Sequence, residues 1–374
     1  MTRSFTVRRR EITALRLAAQ GIAGAGAHAD ATTGVAETVQ RMLAVQAQDF
    51  AGAVWSLGLR TPGSTEAQVE AAIASGAVVR SWPMRGTLHF VPPRDLGWML
   101  SLTSARTIQS TETRRRTLGL SHADIERVRE VAQRELGGGR VLGRDALLAA
   151  FDAAGVSTAS QRGYHLLLHL GITQTIVFGP LAVGPGGGRQ QTFVLLDEWV
   201  PAPRRLEREE ALGEFALRYF AAHGPATVRD FAWWTSMTLA DARLGLSVAR
   251  DGLEELFVDD VSYFLTPSSG ASAATARAVH ALPGFDEYLL GYQDRSAPLA
   301  AEHAERVVPG KNGLFLPTIV VGGEVVGTWR RTLGSRGVTV EAQPFGTLGV
   351  TAARGFDAAV ARYARFLGRP LLHR

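Results

Sequence analysis

The chain has 374 residues, of which 46% are hydrophobic and 20% are charged, and these values are typical of a globular protein of two to four domains. It contains no cysteine, which excludes disulfides, iron–sulfur clusters, thiolate zinc sites and cysteine nucleophiles. The net charge is +5, and because Lys311 is the single lysine, arginine carries almost all of the positive charge. Arginine is well suited to bind phosphate and guanine, so nucleic-acid binding is one explanation of this composition, and a coding bias towards arginine is the other.

The N-terminal stretch "RRREITALRLAAQGIAGAGAHA" has some features of a signal peptide. Glu11, Arg16 and Gln20 interrupt its apolar part, which argues against a cleaved leader. No segment of the sequence has the length and apolarity of a membrane span. We therefore expect a cytoplasmic, nucleoid-associated protein that does not bind membranes.

The first predicted unit covers residues 1–110. Its apolar periodicity predicts three helices followed by two strands that turn around Pro83–Arg85. The helices are predicted in "TVRRREITALRLAAQG", "AETVQRMLAVQ" and "STEAQVEAAIASG", and the strands in "AVVRSW" and "GTLHFV".

The second predicted unit, residues 111–203, shows the same order of elements. Ser121 and Asp124 form an S-x-x-D capping box ahead of apolar residues at helical spacing, which predicts a helix that ends at Gly137. Helices are then predicted in "RDALLAAFDAA" and "TASQRGYHLLLHL", and strands in "TQTIVFGPLAV" and "QQTFVLLDEWV" with the glycine-rich turn "GPGGG" between them.

The third predicted unit is residues 204–276, and a β-rich C-terminal module follows at 277–374. Two strands in "LEELFVDDVSYFLTP" are predicted to turn at Asp259–Asp260, and a hairpin is predicted at Gly322–Gly323. The helices are predicted in "REEALGEFALRYFAAHG", "TVRDFAWWTS", "TLADARLGLSVAR" and, at the end of the chain, "AARGFDAAVARYARFLG".

Three helices followed by a hairpin are typical of a winged helix-turn-helix. The predicted fold is therefore α+β, with three tandem winged helix-turn-helix units and a β-rich C-terminal module. Winged helices bind either DNA or other proteins, so the repetition favours DNA binding without deciding it.

Several kinds of catalytic site are disfavoured. "HLLLH" places His165 and His169 one helical turn apart but lacks the glutamate of H-E-x-x-H, so buried core histidines are favoured over a metal site. The glycine runs lack the G-K-[ST] of a phosphate loop, and no G-x-S-x-G motif occurs, so we expect no metal and no cofactor. For "GFDEYLLGYQDR" an internal salt-bridge network is favoured over a direct role. Its charged residues are Asp286, Glu287, Asp294 and Arg295.

Two glutamines in "RMLAVQAQDF", Gln46 and Gln48, form the most specific candidate site. If the chain leaves its helix at about Val45 and extends, residues i and i+2 point to the same side, and Asp49 points to the other. Two amides then offer hydrogen-bond donors and acceptors to a water or a sugar oxygen, but they take up no proton at neutral pH. The spacing alone favours the simpler explanation, which is polar residues at a helix end.

The sequence resembles the AlkZ/YcaQ family of winged-helix DNA glycosylases, whose hallmark is the motif Q-Φ-Q or Q-Φ-D. The resemblance extends over nearly the whole chain. Five stretches carry it: "LRLAAQGI", "VQAQDFAGAVWSLGLR", "WPMRGTLHFV", "LPGFDEYLLGYQDR" and "GLFLPTIVVGGEVVGTWR".

The resemblance implies tandem winged helices around a concave DNA-binding face. It also implies monofunctional excision of N7-alkylated guanine, including the unhooking of crosslinks made by bifunctional agents. The motif glutamines fall on Gln46 and Gln48, which makes them the expected catalytic pair, with the small residue Ala47 between them. Alkylation at N7 gives guanine a positive charge, so the base leaves without protonation, and neutral amides suffice to stabilise the sugar cation and hold a water. The lack of a lysine near the motif argues against a lyase that forms a Schiff base.

Arginine and histidine side chains on two hairpins are the expected DNA contacts. Arg85 and His89 lie on the first hairpin, and Arg189 lies on the glycine-rich hairpin, where a merely solvated arginine is the alternative. The expected partner is double-stranded DNA that contains alkylated bases, and we expect a monomer. The alternative function is that of a non-catalytic winged-helix DNA-binding protein or transcriptional regulator.

Overall fold

The computed structural model describes residues 4–6, 9–22, 31–184, 189–267, 278–311 and 313–372. The chain divides into two compact units. Unit 1 comprises Met1–Val69 and Leu212–Arg374, and unit 2 comprises Glu70–Ala211. Among the helices of the described ranges, none is long and apolar enough to cross a membrane.

The N-terminal part of the chain contains one helix more than the sequence predicted. Nearly every residue of this extra helix, α3, is buried, and apart from Ser56 and Arg60 its residues are apolar or glycine, so it lacks the charged, exposed face of a surface helix. Gly52 and Gly58 further weaken its helix propensity. The elements are β1 (Ser4–Thr6), α1 (Arg9–Ala19), α2 (Ala31–Met42), β2 (Val45–Gln46), α3 (Phe50–Arg60) and α4 (Glu66–Ala74).

The strands of unit 2 form an antiparallel sheet in the order β4-β3-β6-β9-β5, and β7 and β8 form a separate hairpin. Most of the turn predicted in "GPGGG", residues 185–188, lies outside the described residues. The elements are β3 (Val79–Met84), β4 (Thr87–Val91), α5 (Leu96–Thr117), α6 (His122–Leu136), β5 (Leu142–Gly143), α7 (Arg144–Ala153), α8 (Arg162–Ile172), β6 (Ile176–Phe178), β7 (Ala182–Val183), β8 (Arg189–Gln190), β9 (Thr192–Leu195) and α9 (Leu196–Trp199).

The predicted helices of residues 121–172 are confirmed, and the predicted capping box of α6 is present, with Ser121 accepting from the backbone of Asp124. The long helix α5 was missed, because after its first turns it is rich in serine, threonine and arginine and shows little apolar periodicity. It runs across the boundary predicted at residue 110, and the four-part division of the chain stays a prediction. The end of the last predicted strand forms α9 instead.

The helices and strands predicted for the C-terminal part of unit 1 occur in the predicted order, but one strand and two short helices between residues 279 and 307 were not predicted. The turn between β10 and β11 has positive φ at both Asp259 (48°) and Asp260 (62°), as a two-residue type I′ hairpin requires. The elements are α10 (Arg208–His223), α11 (Val228–Thr235), α12 (Leu239–Val248), β10 (Glu254–Val258), β11 (Val261–Leu265), β12 (Val279–Leu282), α13 (Glu287–Leu290), α14 (Ala304–Val307), β13 (Thr318–Val321), β14 (Glu324–Gly334), β15 (Gly337–Pro344) and α15 (Val350–Phe366).

Two sheets are formed within the described residues of unit 1. In the first, β1 adds in parallel to the β10–β11 hairpin; the second is the antiparallel meander β12-β13-β14-β15, with its predicted turn at Gly322–Gly323.

An aromatic core joins α3 to α15 within unit 1. The ring of Trp55 lies 4.9 Å from that of Tyr363 and 5.1 Å from that of Phe366, and its indole N–H donates to Ala281 O on β12 at 2.9 Å. Large aromatic rings bury much apolar surface, so this cluster fixes α3 firmly. The loop that precedes α3 carries the two candidate glutamines.

Candidate active site

The chain leaves α2 three residues earlier than predicted. The helix ends at Met42, Leu43 takes a left-handed conformation (φ 62°), and Val45 and Gln46 are extended. The next helix, α3, begins at Phe50, two residues after Gln48, with Asp49 as its N-cap residue. The Q-x-Q motif is therefore a short connection held at both ends by helices.

The two glutamines differ in exposure. Gln46 is 6% exposed, and its Oε1 accepts a hydrogen bond of 2.6 Å from the backbone N–H of Gln48. Since a backbone N–H is a donor, the atom that faces it must be the oxygen, and this fixes the orientation of the amide. The Nε2 group of Gln46 makes no hydrogen bond with other described residues, whereas the side chain of Gln48 is exposed.

Asp49 adds a carboxylate to the same connection. It is exposed, and its side chain does not cap α3. A Cβ at Gly52 would lie 2.6 Å from Asp49 Oδ2 and 3.3 Å from Gly284 O, so the missing side chain of Gly52 leaves room for the carboxylate.

The backbone of Gln46 is held by a buried carboxylate. Glu287 is completely buried, and its Oε1 accepts from the N–H of Gln46 at 2.8 Å. Its Oε2 accepts from the indole N–H of Trp234 at 2.9 Å and lies 3.2 Å from Nε2 of His223. Both partners are themselves completely buried.

A second buried carboxylate pairs with an arginine of α3. Asp286 and Arg60 form two parallel hydrogen bonds, of 2.8 Å and 2.9 Å, and Ser56 donates to the same carboxylate at 2.8 Å. Arg60 also donates to Gln20 Oε1 at 2.6 Å, and Gln20 Nε2 donates to the hydroxyl of Tyr292 at 3.1 Å. This network ties α1, α3 and the segment after β12 together.

Burial tunes the titratable groups around this network. Burial, and after it repulsion from Arg60, lowers the pKa of Arg41 to about 10, which leaves it charged at neutral pH. Burial raises the pKa of Tyr219 and of Tyr292. Both tyrosines therefore remain neutral hydroxyls, and each donates to a backbone carbonyl oxygen.

Three of the five stretches that carry the family resemblance meet in this network. They contribute Gln20, Arg60 and the pair Asp286 and Glu287. The predicted internal network of "GFDEYLLGYQDR" is confirmed for Asp286, while the guanidinium of Arg295 lies 4.9 Å from the ring centroid of Trp233.

Two further residues of the site, His223 on α10 and Trp234 on α11, were not predicted from the sequence, and both contact Glu287. A histidine at a helix end and a tryptophan on an apolar face resemble ordinary core residues. The only signal was the pair of adjacent acids in an otherwise apolar stretch.

The candidate DNA contacts of the first hairpin belong to unit 2. Arg85 lies in the turn between β3 and β4 with a positive φ of 56°, and its Nη2 lies 3.2 Å from Nε2 of His89. His89 is completely buried, and its Nδ1 lies 2.9 Å from the carbonyl oxygen of Thr87. Since a carbonyl only accepts, Nδ1 carries the proton and Nε2 accepts from the arginine.

Arg189 is exposed on β8 and forms an ion pair with Glu70 at 2.8 Å.

His165 is buried and His169 is partly buried, as the sequence favoured, and His169 Nδ1 lies 2.7 Å from Arg115 Nη1. Burial, followed by the charge of Arg115, lowers the pKa of His169 to about 4. Within the described ranges, no three acidic or histidine side chains cluster as metal ligands would.

Comparison with known proteins identifies the family. A family model described as "DNA glycosylase AlkZ-like" matches residues 39–366. The chain belongs to the AlkZ-like DNA glycosylase family. It is therefore a DNA glycosylase, an enzyme of DNA repair, and the alternative of a non-catalytic regulator is not supported.

Sequence and structure relatives agree with the AlkZ-like family. The chain is 29% identical over 310 residues to an interstrand DNA cross-link repair glycosylase of Streptomyces sahachiroi, covering 78% of this chain and 81% of that protein. Its fold is similar to that of the solved structure of Streptomyces sahachiroi DNA glycosylase AlkZ, with a TM-score of 0.77 and 25% identity over 98% of this chain and 100% of that one. The mixed helix and sheet content of an AlkZ-like glycosylase is thereby established for this chain.

Proposed function

We propose that this AlkZ-like glycosylase hydrolyses the N-glycosidic bond of N7-alkylated guanine in double-stranded DNA, with Gln46 and Gln48 as its catalytic pair. The observation that carries the proposal is the fixed amide of Gln46. Because Oε1 is occupied by the backbone of Gln48, the Nε2 group is the part of the side chain that is left to contact a substrate or a water.

This arrangement suits a reaction in which the leaving group is already activated. Alkylation at N7 makes the base a good leaving group, so the bond between N9 and C1′ breaks without a general acid. A water then adds to C1′, leaving an abasic site, and its proton passes to the solvent. Preorganised hydrogen bonds aimed at the developing charge and at the water lower this barrier.

The two amides take different parts in this scheme. The N–H groups of Gln46 donate to the oxygen of the attacking water and hold it in place, while the exposed amide of Gln48 offers a carbonyl oxygen to the water's protons. Asp49, the exposed acid that follows, adds negative charge next to the developing sugar cation. No residue of the motif is required as a Schiff-base nucleophile, so the enzyme is monofunctional.

DNA contacts are proposed for the hairpins of unit 2. Arg85 binds a phosphate or the lesion, and His89, being buried, acts by orienting Arg85 rather than by touching DNA. Arg189 is exposed on its hairpin and forms an ion pair with Glu70. When DNA binds, Arg189 leaves Glu70 and contacts a phosphate at a groove of the DNA.

The architecture extends the proposal. We infer that each set of helices followed by a hairpin, in residues 1–110, 111–203 and 204–276, is a winged helix-turn-helix, and that the enzyme acts as a monomer. The Streptomyces sahachiroi relative is named for interstrand cross-link repair, and the present chain is proposed to accept such crosslinks as well.

The test uses duplex DNA that contains N7-methylguanine. We expect the enzyme to release the free base and leave an abasic strand that is cut by alkali but not by the enzyme itself. A duplex crosslinked through N7 of two guanines, tested in parallel, should yield separated strands. Absence of base release from the methylated duplex would overturn the assignment of the lesion, and strand cleavage by the enzyme alone would overturn the monofunctional mechanism.

A further inference from the structure

We propose that Glu287 is a positioning residue for catalysis, which orients the Q-x-Q motif through the backbone N–H of Gln46. The inference rests on the proposed catalytic role of Gln46 and deepens it. It assigns a function in the reaction to a buried acid that lies 241 residues further along the chain.

The burial of Glu287 needs an explanation, because an acid without exposed surface loses its hydration and gains nothing unless strong partners replace the water. Within the fold the carboxylate receives the N–H of Gln46 on Oε1, and on Oε2 it receives the N–H of Trp234 and lies next to His223. Two of these partners belong to the core and hold the acid in place. The third belongs to the catalytic motif.

The hydrogen bond to Gln46 is the link that matters for catalysis. Strand β2 has only two residues, so few contacts within the motif fix its peptide planes. A carboxylate acceptor forms a stronger and more directional bond to a peptide N–H than a carbonyl does. Glu287 thus sets the orientation of the Gln46 peptide and, with it, the direction of the Gln46 side chain.

The effect passes on to the second glutamine. Oε1 of Gln46 accepts from the backbone N–H of Gln48, so the peptide of Gln48 is oriented by Gln46, which is oriented by Glu287. Glu287 therefore orients both residues of the motif through two successive hydrogen bonds, the first to the backbone of Gln46 and the second from the backbone of Gln48 to the Gln46 side chain.

The immediate surroundings of Glu287 leave little freedom for it to move. The imidazole of His223 stacks on Tyr219 at 4.8 Å between centroids, with 11° between the ring planes. A Cβ at Gly291 would lie 2.5 Å from Cδ2 of His223, so the backbone of Gly291 packs closely against this ring. A positioning residue has to be rigid itself, and this packing provides the rigidity.

The experiment measures single-turnover release of N7-methylguanine and, separately, affinity for the same duplex. Glu287→Gln removes the charge and, with its carbonyl oxygen kept towards Gln46, places an amide N–H₂ against the indole N–H of Trp234, so we expect the excision rate constant to fall about 10²-fold, as for a small misplacement of a catalytic group. DNA affinity should remain within about twofold, because the acid is buried away from solvent. A purely structural residue would instead lower the active fraction without changing the rate constant of the folded enzyme.

A milder variant covers the case in which Glu287→Gln does not fold. Trp234→Phe removes one donor to the carboxylate and leaves the bond to Gln46 in place, and it should slow excision about fivefold, the effect of one hydrogen bond. Trp329→Phe also removes one buried indole N–H, which donates to the carbonyl oxygen of Leu282, so it is the matched control and should retain the wild-type rate.

Combination with Gln46→Ala separates this inference from the proposed function. If Glu287 acts through Gln46, then adding Glu287→Gln to Gln46→Ala should lower the excision rate constant by less than about threefold relative to Gln46→Ala alone. Trp234→Phe takes the place of Glu287→Gln if the latter does not fold. The positioning role alone would be overturned if the rate losses of the Glu287 and Gln46 variants multiplied fully in the double variant. It would also be overturned if Glu287→Gln and Trp234→Phe both folded and kept the wild-type rate constant. Wild-type excision by Gln46→Ala itself would instead overturn the proposed function.

Discussion

Arg60 and Asp286, 226 residues apart in the sequence, form a two-bond ion pair that is closed to solvent, with exposed side-chain fractions of 0% and 3%. The pair joins α3 to the residue that caps α13, whose first residue is Glu287. It therefore stabilises the fold at the place where the Q-x-Q motif is held.

Loss of the Asp286 charge should destabilise the protein strongly. Asp286→Asn leaves Arg60 as an uncompensated buried cation, and we expect the free energy of unfolding to fall by about 3–5 kcal/mol, measured by urea denaturation. The control is Glu112→Gln in the exposed pair with Arg116, which should cost at most about 1 kcal/mol. Equal losses in the two variants would contradict a structural role of the buried pair.

Stability should decrease in mild acid because of His280. Burial, and after it the charge of Arg362, lowers the pKa of His280 to about 4, whereas the pKa of a histidine in the unfolded chain is about 6.5. Between these values the unfolded chain binds a proton that the folded chain does not, so the stability contributed by the neutral ring is complete above about pH 6.5 and is lost as the pH falls towards about 4.

His280→Phe removes this titration, and the ring nitrogens of His280 have no hydrogen-bond partner among the described residues. We expect the difference in unfolding free energy between pH 7 and pH 4.5 to shrink by about 2 kcal/mol in this variant. Exposed His122→Phe serves as the control. An unchanged pH dependence in His280→Phe would show that other groups cause the acid sensitivity.

Close packing of α3 against α15 predicts a third effect. A Cβ at Gly58 would overlap the ring of Phe366, so Gly58→Ala should destabilise the protein by about 1–3 kcal/mol despite the better helix propensity of alanine. Gly346→Ala, whose Cβ would have no atom within 4 Å, is the matched control. A thermal denaturation midpoint that rises in Gly58→Ala would contradict the packing described for α3.

The helices with capping boxes and the two-residue hairpins were predictable from sequence, because their signals are local. Ser121 with Asp124 begins α6, and Asp259–Asp260 makes the turn between β10 and β11. Helix α3 was missed, since a helix that is buried along most of its length carries no exposed charged face to distinguish it from an apolar strand or loop.

The site was predictable only in part, because only some of its features have local sequence signals. The Q-x-Q motif is a local pattern, and family resemblance gave it a role. The acid that holds Gln46 is 241 residues away, and nothing in the sequence near either residue signals that they meet. Pairing over such distances follows from tertiary packing rather than from local propensity.

Binding to undamaged duplex DNA should be mainly electrostatic, because arginine dominates the charge of the chain. Neutralisation of about six phosphates predicts a slope of roughly −5 for the logarithm of the association constant against the logarithm of salt concentration, and Arg85→Gln should reduce its magnitude by about one. Fluorescence anisotropy in a salt series measures both. An affinity that hardly changes with salt would contradict phosphate neutralisation as the basis of binding.

The central claim is that Gln46 and Gln48 are the catalytic pair, as proposed above, and single-turnover release of N7-methylguanine tests it most directly. Gln46→Ala and Gln48→Ala should each slow excision by about 10² or more, the effect of losing a transition-state hydrogen bond, while DNA affinity stays near that of the wild type. If both amides hold the same water, the double variant should lose less than the product of the single effects.

Gln40→Ala, an exposed glutamine on α2, is the matched control and should excise the base at the wild-type rate. A loss confined to the two motif variants and their combination is the result that we expect. Full activity in the Gln46→Ala/Gln48→Ala double variant would contradict the proposed mechanism.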